Sequence, residues 1–356
     1  MRQTWPKRFR ARPSDPTFID CFAGAGGLSL GLVGAGFRPV FAFDNDPLAC
    51  ETYRRNLGDH IVHRDLQSVV AHGVDLRPDL VAGGPPCQGF STQRRGPADD
   101  ERNDLVAAYF EFALSLKPSL ILMENVPGVL GERGRAGMAQ VRERLSRHGY
   151  DFAADVVQAA DFGVAQRRRR AIVVAWDPSR SKPFDFSALE FGAAVTVRDA
   201  IGDLPEPSLD GTDDPIYANH VRVRMSELNI RRISHVPAGG GRLDVPDHLR
   251  PACHRGSDHR HFDVYGRLSW DEPAGTITAM FDNFTRGRFA HPEQDRNITS
   301  REGARIQSFP DGFVFEGPKK DVARQIGNAV PPLLAKAIGG QLRTMIGRDR
   351  GRPSSK

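Results

Sequence analysis

The sequence predicts an α/β protein: a doubly wound parallel sheet covered by helices, followed by a second, smaller and irregular domain. Three observations support this. From Thr17 to about Ala175, short apolar runs alternate with helix-like segments, the pattern of successive strand-helix units. The run Leu120-Ile121-Leu122-Met123 is apolar without alternation, as a strand buried on both faces requires. After about Pro205 the texture changes to Pro, Gly, Asp, His and Arg with weak periodicity and no repeat.

Along the chain, Phe18 to Phe22, Val40 to Phe43, Leu80 to Ala82 and Leu120 to Met123 read as strands, with later ones over Phe152 to Val157 and Ala171 to Trp176. Helical spacing of apolar residues covers Leu28 to Ala35, Pro47 to Leu57, Asp104 to Lys117 and Gly137 to His148. Asp46 before Pro47 is an N-cap with a first-turn proline. Helical order returns in Ser300 to Gln307 and Val330 to Met345, and the tail from Gly347 is expected to fray. Domain boundaries are expected at 1–200, 201–320 and 321–356, the last segment returning to the first domain.

The 356 residues suffice for two domains. With 39% hydrophobic and 26% charged residues, collagen-like and mostly disordered chains are excluded. The net charge of +5 suits a polyanionic partner without requiring one. No apolar run approaches the roughly 18 residues of a membrane span. The basic start is followed by Pro and Asp rather than an apolar signal core, so a cytoplasmic protein with no membrane partner is expected. The cysteines Cys21, Cys50, Cys87 and Cys253 show no CxxC spacing, which argues against a disulfide framework or a cysteine-rich zinc site. Cys253, His254, His259 and His261 match no usual zinc pattern, and no metal is expected.

Four segments carry chemistry. Phe22-Ala-Gly-Ala-Gly-Gly-Leu28 lies between a strand and a helix, where glycines let the backbone approach a ligand. Asp44 ends the next apolar run, placed to accept hydrogen bonds from ribose hydroxyls. The dinucleotide fingerprint would want glycine at position 29, which is Ser29; the pocket therefore suits another nucleoside cofactor better. Gly83-Gly84-Pro85-Pro86-Cys87-Gln88-Gly89-Phe90-Ser91 follows a strand, and its two prolines stiffen the loop and aim Cys87 from the sheet's carboxyl edge as a nucleophile. Glu124, at the end of the most apolar run, is either a helix cap or a ligand group. In Gln166-Arg167-Arg168-Arg169-Arg170, strand alternation puts Gln166, Arg168 and Arg170 on one face. That favours Arg168 and Arg170 for the site.

In this order, the motifs resemble the DNA (cytosine-5)-methyltransferases. The matching pieces are Phe22 to Leu28, Pro85-Pro-Cys-Gln-Gly-Phe-Ser91, Glu124-Asn-Val126, Gln166-x-Arg-x-Arg170, Arg301-Glu302 with Gln307-Ser-Phe-Pro310, and Gly327-Asn-Ala-Val330. The resemblance implies a Rossmann-like, S-adenosylmethionine-dependent catalytic domain (1–200), a target-recognition domain (201–320) and a C-terminal segment returning to the first. It implies that Cys87 adds to cytosine carbon 6, that Glu124 engages ring nitrogen 3, and that Arg168 and Arg170 stabilise the base oxygen. S-adenosylmethionine, leaving as S-adenosylhomocysteine, would be held by Phe22, Gly24, Gly26, Gly27, Leu28, Asp44, Asn45, Asp65, Leu66, Pro86, Asn328 and Val330. Asn45 stands where many relatives carry a larger apolar or aromatic residue over the adenine.

The target base must leave the duplex to be reached, with Gln88, Ser91 and Arg94 clamping the DNA backbone. Arg231 and Arg232 join Arg222, Arg224, Arg242 and Arg250 as basic residues suited to DNA contacts. The expected partner is double-stranded DNA; a cognate restriction endonuclease would act without a stable complex. A monomer in the bacterial cytoplasm, at the nucleoid through its DNA, is expected. The rivals are a transfer-RNA methyltransferase of the same fold, a noncatalytic DNA-binding protein, and a nucleotide-dependent oxidoreductase that Ser29 and the cysteine loop disfavour.

Overall fold

The computed structural model describes residues 12–86, 104–252, 255 and 263–346. The chain divides into two compact units, one of residues 1–158, 169–191 and 332–356, the other of 159–168 and 192–331.

The first unit is built on seven strands: β1 (Thr17–Cys21), β2 (Arg38–Asp44), β3 (Ile61–His63), β4 (Leu80–Gly83), β5 (Leu120–Asn125), β6 (Asp151–Gln158) and β7 (Arg169–Trp176). Their order is β3-β2-β1-β4-β5-β7-β6. Pairings from β3 to β5 are parallel, and β7 runs antiparallel to both neighbours. The apolar run at 120–123 lies in β5, and all its residues are buried. Where β1 meets β4 the strand order reverses, the switch point at which open α/β sheets bind ligands beyond their carboxyl ends.

Helices α1 (Gly27–Gly34), α2 (Pro47–Leu57), α3 (Leu66–His72), α4 (Asp104–Ser115) and α5 (Arg135–Arg147) follow their strands, and α10 (Pro332–Met345) comes from the chain's end. Ile19, Val81, Ile121, Met123 and Val173 form one core with Val69 of α3, Phe110 of α4 and Leu145 of α5. On the other face α10 packs closely against α1: a Cβ built at Gly31 would lie 2.5 Å from the Pro332 carbonyl oxygen. Asp46 caps α2 through the Leu48 and Ala49 amides, as expected. The α4 helix ends earlier than its apolar pattern suggests, because Lys117 turns to φ 50 ahead of Pro118. Neither β3 nor α3 is signalled in the sequence; three residues are too few to show alternation.

The second unit contains α6 (Val197–Ile201), α7 (Glu227–Ile233), α8 (Ser300–Ile306), α9 (Lys319–Asn328) and the short parallel pair β8 (Gly266–Arg267) and β9 (Arg288–Ala290). Irregular backbone leaves carbonyls without ladder partners, and buried arginines supply them. Arg267 donates to the carbonyls of Ile233, Val236, His291 and Gln294. Arg301, 0% exposed, donates to those of Ala218, Pro310 and Phe313. Arg296 and Glu302 form a buried bidentate pair at 2.8 and 2.7 Å. Phe309, Phe313 and Phe315 pack ring to ring beneath Arg301.

Candidate active site

The glycine loop leaves β1 through three consecutive-but-one left-handed residues: Phe22 (φ 58), Gly24 (φ 53) and Gly26 (φ 95). Gly26 is the N-cap of α1, and a Cβ there would sit 2.9 Å from the Tyr53 ring, so both its backbone and its neighbour demand glycine. A Cβ at Gly24 would meet nothing within 4 Å, which leaves open space in front of the loop. Asp44 ties this loop to the end of β2, one carboxylate oxygen accepting from the Gly24 amide and the other from the Asp46 amide, each at 2.8 Å. Burial raises the Asp44 pKa above the ordinary carboxylate value, opposed by those amides. Gly27 and Leu28 are buried in the first turn of α1.

Asn45 is exposed, and its carbonyl accepts from His63 Nε2 at 3.1 Å, which fixes that imidazole as the Nε2–H form. Asp65 is the N-cap of α3, accepting from the Ser68 amide at 2.8 Å. The Ser68 hydroxyl and amide hold its pKa below the ordinary range. Leu66 turns into the core beside Val69 and Val81, and Pro86 is exposed.

A second group gathers at the ends of β4 and β5. Glu124 and Arg170 form an ion pair of 2.7 Å from Arg170 Nε to Glu124 Oε1, their side chains 11% and 13% exposed. The pairing follows from β7's reversal, which sets Glu124 opposite Ile172 and brings the start of β7 to the end of β5. The other carboxylate oxygen, Oε2, lies 3.5 Å from where a Cβ would stand on Gly84. Asn125 donates from Nδ2 to the Pro85 carbonyl at 3.0 Å and accepts the Val126 amide on Oδ1. Pro85 is thus held beside Glu124, two residues before Cys87 in the sequence. Cys87, Gln88, Ser91 and Arg94 lie outside the described residues, as do Cys253, His254, His259 and His261.

Alternation holds along the basic run: Gln166 and Arg168 are buried, Arg170 is half-buried, and Arg167 and Arg169 are exposed. The three inward residues nonetheless do different things. Gln166 accepts the Ile277 amide and donates to Gln307, which donates to the Ile326 carbonyl. Arg168 donates to the carbonyls of Ile277, Gly327 and Ala329. Both stitch the second unit, whereas Arg170 faces Glu124 in the first.

Asn328, exposed at the end of α9, and buried Val330 also belong to the second unit. In α7, Arg231 is exposed. Arg232 donates to the Leu249 carbonyl and Asn229 and lies over the Tyr265 ring. Arg242 is buried, and Arg250 donates to the Val245 and Leu243 carbonyls. Arg224 is exposed, and Arg222 is 3.6 Å from Glu206. Among the described residues no cluster of His, Cys, Asp and Glu could hold a metal, and no helix is long and apolar enough to cross a membrane. Sequence reasoning missed Asn125 as the anchor of the Pro85 loop, although it stands inside the Glu-Asn-Val motif.

An open glycine loop tied to the Asp44 carboxylate, and an acid-guanidinium pair beside the Asn125-held Pro85, stand at the carboxyl ends of an α/β sheet of the methyltransferase class. The family model for C-5 cytosine-specific DNA methylases matches residues 16–344. The chain belongs to this family, enzymes that methylate cytosine through a covalent cysteine adduct on a base turned out of the duplex. Its relatives include the Type II methyltransferase M1.HphI of Haemophilus parahaemolyticus, 37% identical over 90% of this chain and 85% of that protein. The Type II methylase M.HgiDII of Herpetosiphon aurantiacus is 32% identical over 92% and 95%. Among solved structures, an E. coli prophage-encoded DNA modification methyltransferase superposes with TM-score 0.71 at 26% identity, covering 92% of this chain and 98% of that one.

Proposed function

We propose that this protein methylates carbon 5 of cytosine within a defined duplex DNA sequence, using S-adenosylmethionine. The observation that carries the reading is the Glu124–Arg170 pair beside the Asn125-anchored loop that leads to Cys87. Cys87 as thiolate adds to carbon 6, and the ring electrons move to carbon 5, which becomes nucleophilic. Glu124, oriented by Arg170, engages ring nitrogen 3 as that charge develops. Arg170 is the guanidinium at the acid; Arg168, bonded to carbonyls, serves as a strut. With the donor's methyl group on carbon 5, loss of the carbon 5 proton to a base such as water would expel Cys87 and restore the aromatic ring.

The open, positive-φ glycine loop and Asp44 fit the methyl donor. Phe22, Gly24, Gly26, Gly27 and Leu28 would line it, Asp44 would take the ribose, and Asn45, Asp65, Leu66 and Pro86 would border the adenine. When bound, S-adenosylmethionine supplies an electrophilic methyl group on sulfur. The second unit is the target-recognition domain in this reading, with Arg231 and Arg224 exposed toward solvent for DNA phosphates. The protein acts as a monomer at the bacterial nucleoid, alongside a cognate endonuclease that it does not bind stably.

The test is transfer of labelled methyl to mixed-sequence duplex DNA by wild type and Cys87→Ser, with positions read by bisulfite sequencing. Methylcytosine at one fixed motif, lost in the variant, is expected. Folded, donor-bound wild type that leaves DNA unmodified would overturn the reading and direct the assay to transfer RNA.

A further inference from the structure

Behind the glycine loop runs a chain of buried polar groups that the reaction above does not use. Asp20 on β1, Ser29 in the first turn of α1 and Tyr53 on α2 are each 0% exposed. Ser29 Oγ lies 2.6 Å from Asp20 Oδ2 and 2.8 Å from the Tyr53 hydroxyl, which lies 2.9 Å from Nε2 of half-buried His60. The order of donors follows from proton count. An ionised Asp20 only accepts, so Ser29 gives it its one proton; Tyr53 then donates to Ser29, and His60 Nε2–H donates to Tyr53. Each hydroxyl donates once and accepts once, leaving no slack in the chain.

The chain's position gives it a purpose. Asp20 and Ser29 stand at the two feet of loop 22–26, so their bond closes the loop across its base. The Tyr53 ring supports the same loop from below, against Gly26. A left-handed loop holding three such residues has many alternatives in solution, and a site held beforehand in its binding geometry loses less entropy on binding. Ser29 thus occupies the third-glycine position of dinucleotide sites with a hydroxyl that locks the loop.

We propose that Asp20, Ser29, Tyr53 and His60 are positioning residues for the methyl donor, a one-way hydrogen-bonded chain that holds loop 22–26 in its binding form. The proposal rests on the reading that this loop binds S-adenosylmethionine. It carries a pH signature. Asp20 Oδ1 is buried without a hydrogen-bond partner, and burial pushes the Asp20 pKa up to about 7, the Ser29 bond opposing and Asp44 adding to the rise. The ionisable groups around it are Asp44 on β2, Cys21 next to it on β1, Tyr53 on α2 and Tyr109 on α4, with no cation among them. Protonation therefore weakens the charge-assisted Ser29 bond, and donor affinity falls as pH drops through about 7.

The test is calorimetric titration of the full protein with S-adenosylmethionine, without DNA, from pH 6 to 8.5, together with kcat at saturating donor. Tyr53→Phe keeps the ring under Gly26 and cuts the chain. It is expected to raise the donor Kd about fivefold with kcat within about twofold. Asp20→Asn, which still accepts from Ser29, is expected to flatten the fall in affinity below pH 7. If Asp20→Asn fails to fold, Tyr53→Phe decides alone. Wild-type Kd in Tyr53→Phe throughout the pH range would overturn the proposal. Wild type that binds no donor at all would instead overturn the reading of the loop, and this proposal with it.

Discussion

The two units solve the same problem, satisfying buried backbone, by opposite means. In the first, ladders of β5 with β4 and β7 take up the peptide groups, and the side chains between sheet and helices are almost all apolar. In the second, strands are two and three residues long, and guanidinium forks from Arg267 and Arg301 close the carbonyls that ladders would have closed. A fork can serve carbonyls at any angle the chain presents, so a domain stabilised this way can keep an irregular backbone. On the proposed function, recognition of DNA would benefit from that freedom, whereas the reaction would need the fixed register of a sheet edge.

If the contrast is real, the largest effect comes from removing a fork. Arg301→Met keeps much of the volume and takes the guanidinium from the Ala218 and Phe313 carbonyls, while that of Pro310 keeps the Phe313 amide, so chemical denaturation should show a loss of about 4 kcal/mol. A loss under about 1 kcal/mol would make the forks decoration.

Next, pH should act oppositely on the two units. Asp20's pKa lies above its unfolded value of 3.8, at about 7, so its contribution is present at low pH and is lost as pH rises through that window, on the order of 4 kcal/mol in all. Burial pushes His291 down from 6.5 to about 4, with Glu302 opposing. The unfolded chain therefore binds its proton first, and the second unit loses on the order of 3 kcal/mol as pH falls from about 6.5 to 4. Hydrogen exchange read separately on β5 and α8 across pH 4 to 8 checks the two signs; parallel trends would erase the contrast.

The smallest effects concern the site. Arg170→Ala should lower kcat about a hundredfold and Asn125→Ala about tenfold, both with the melting temperature nearly unchanged in single-turnover and thermal assays. If either variant lost stability instead, that side chain would belong with the struts of the second unit.

This difference also governs what can be read from the sequence. Apolar runs foretell β1, β2, β4 and β5 because sheet burial writes a pattern into neighbouring residues. Direction writes none, so the reversal of β7 is invisible although it decides which arginine meets Glu124. Arg168 and Arg170 share a face, as alternation requires, yet one donates to carbonyls of residues far along the chain. The same ambiguity hides the struts: Arg232, Arg242 and Arg250 read as DNA contacts by composition, while two of them are bonded to carbonyls and the third is buried. Residue type encodes donors, not the acceptors that a distant segment brings. Helix α9 escapes notice for a related reason, since its apolar positions Val322, Ala323 and Ile326 are too few to mark a period.

The reversed strand has a consequence for the order of events during synthesis. Arg170 lies in the first pair of residues of β7, the last strand of the sheet to leave the ribosome, and that strand slots between β5 and β6, both made earlier. Until that insertion, Glu124 has no guanidinium and the sheet has an open seam beside it. On the proposed mechanism, Cys87 is therefore translated well before Glu124 gains its guanidinium, and the pair forms only as the sheet closes. A misregistered chain would lack the pair altogether, because a slip of one residue along β7 would turn Arg170 to the other face.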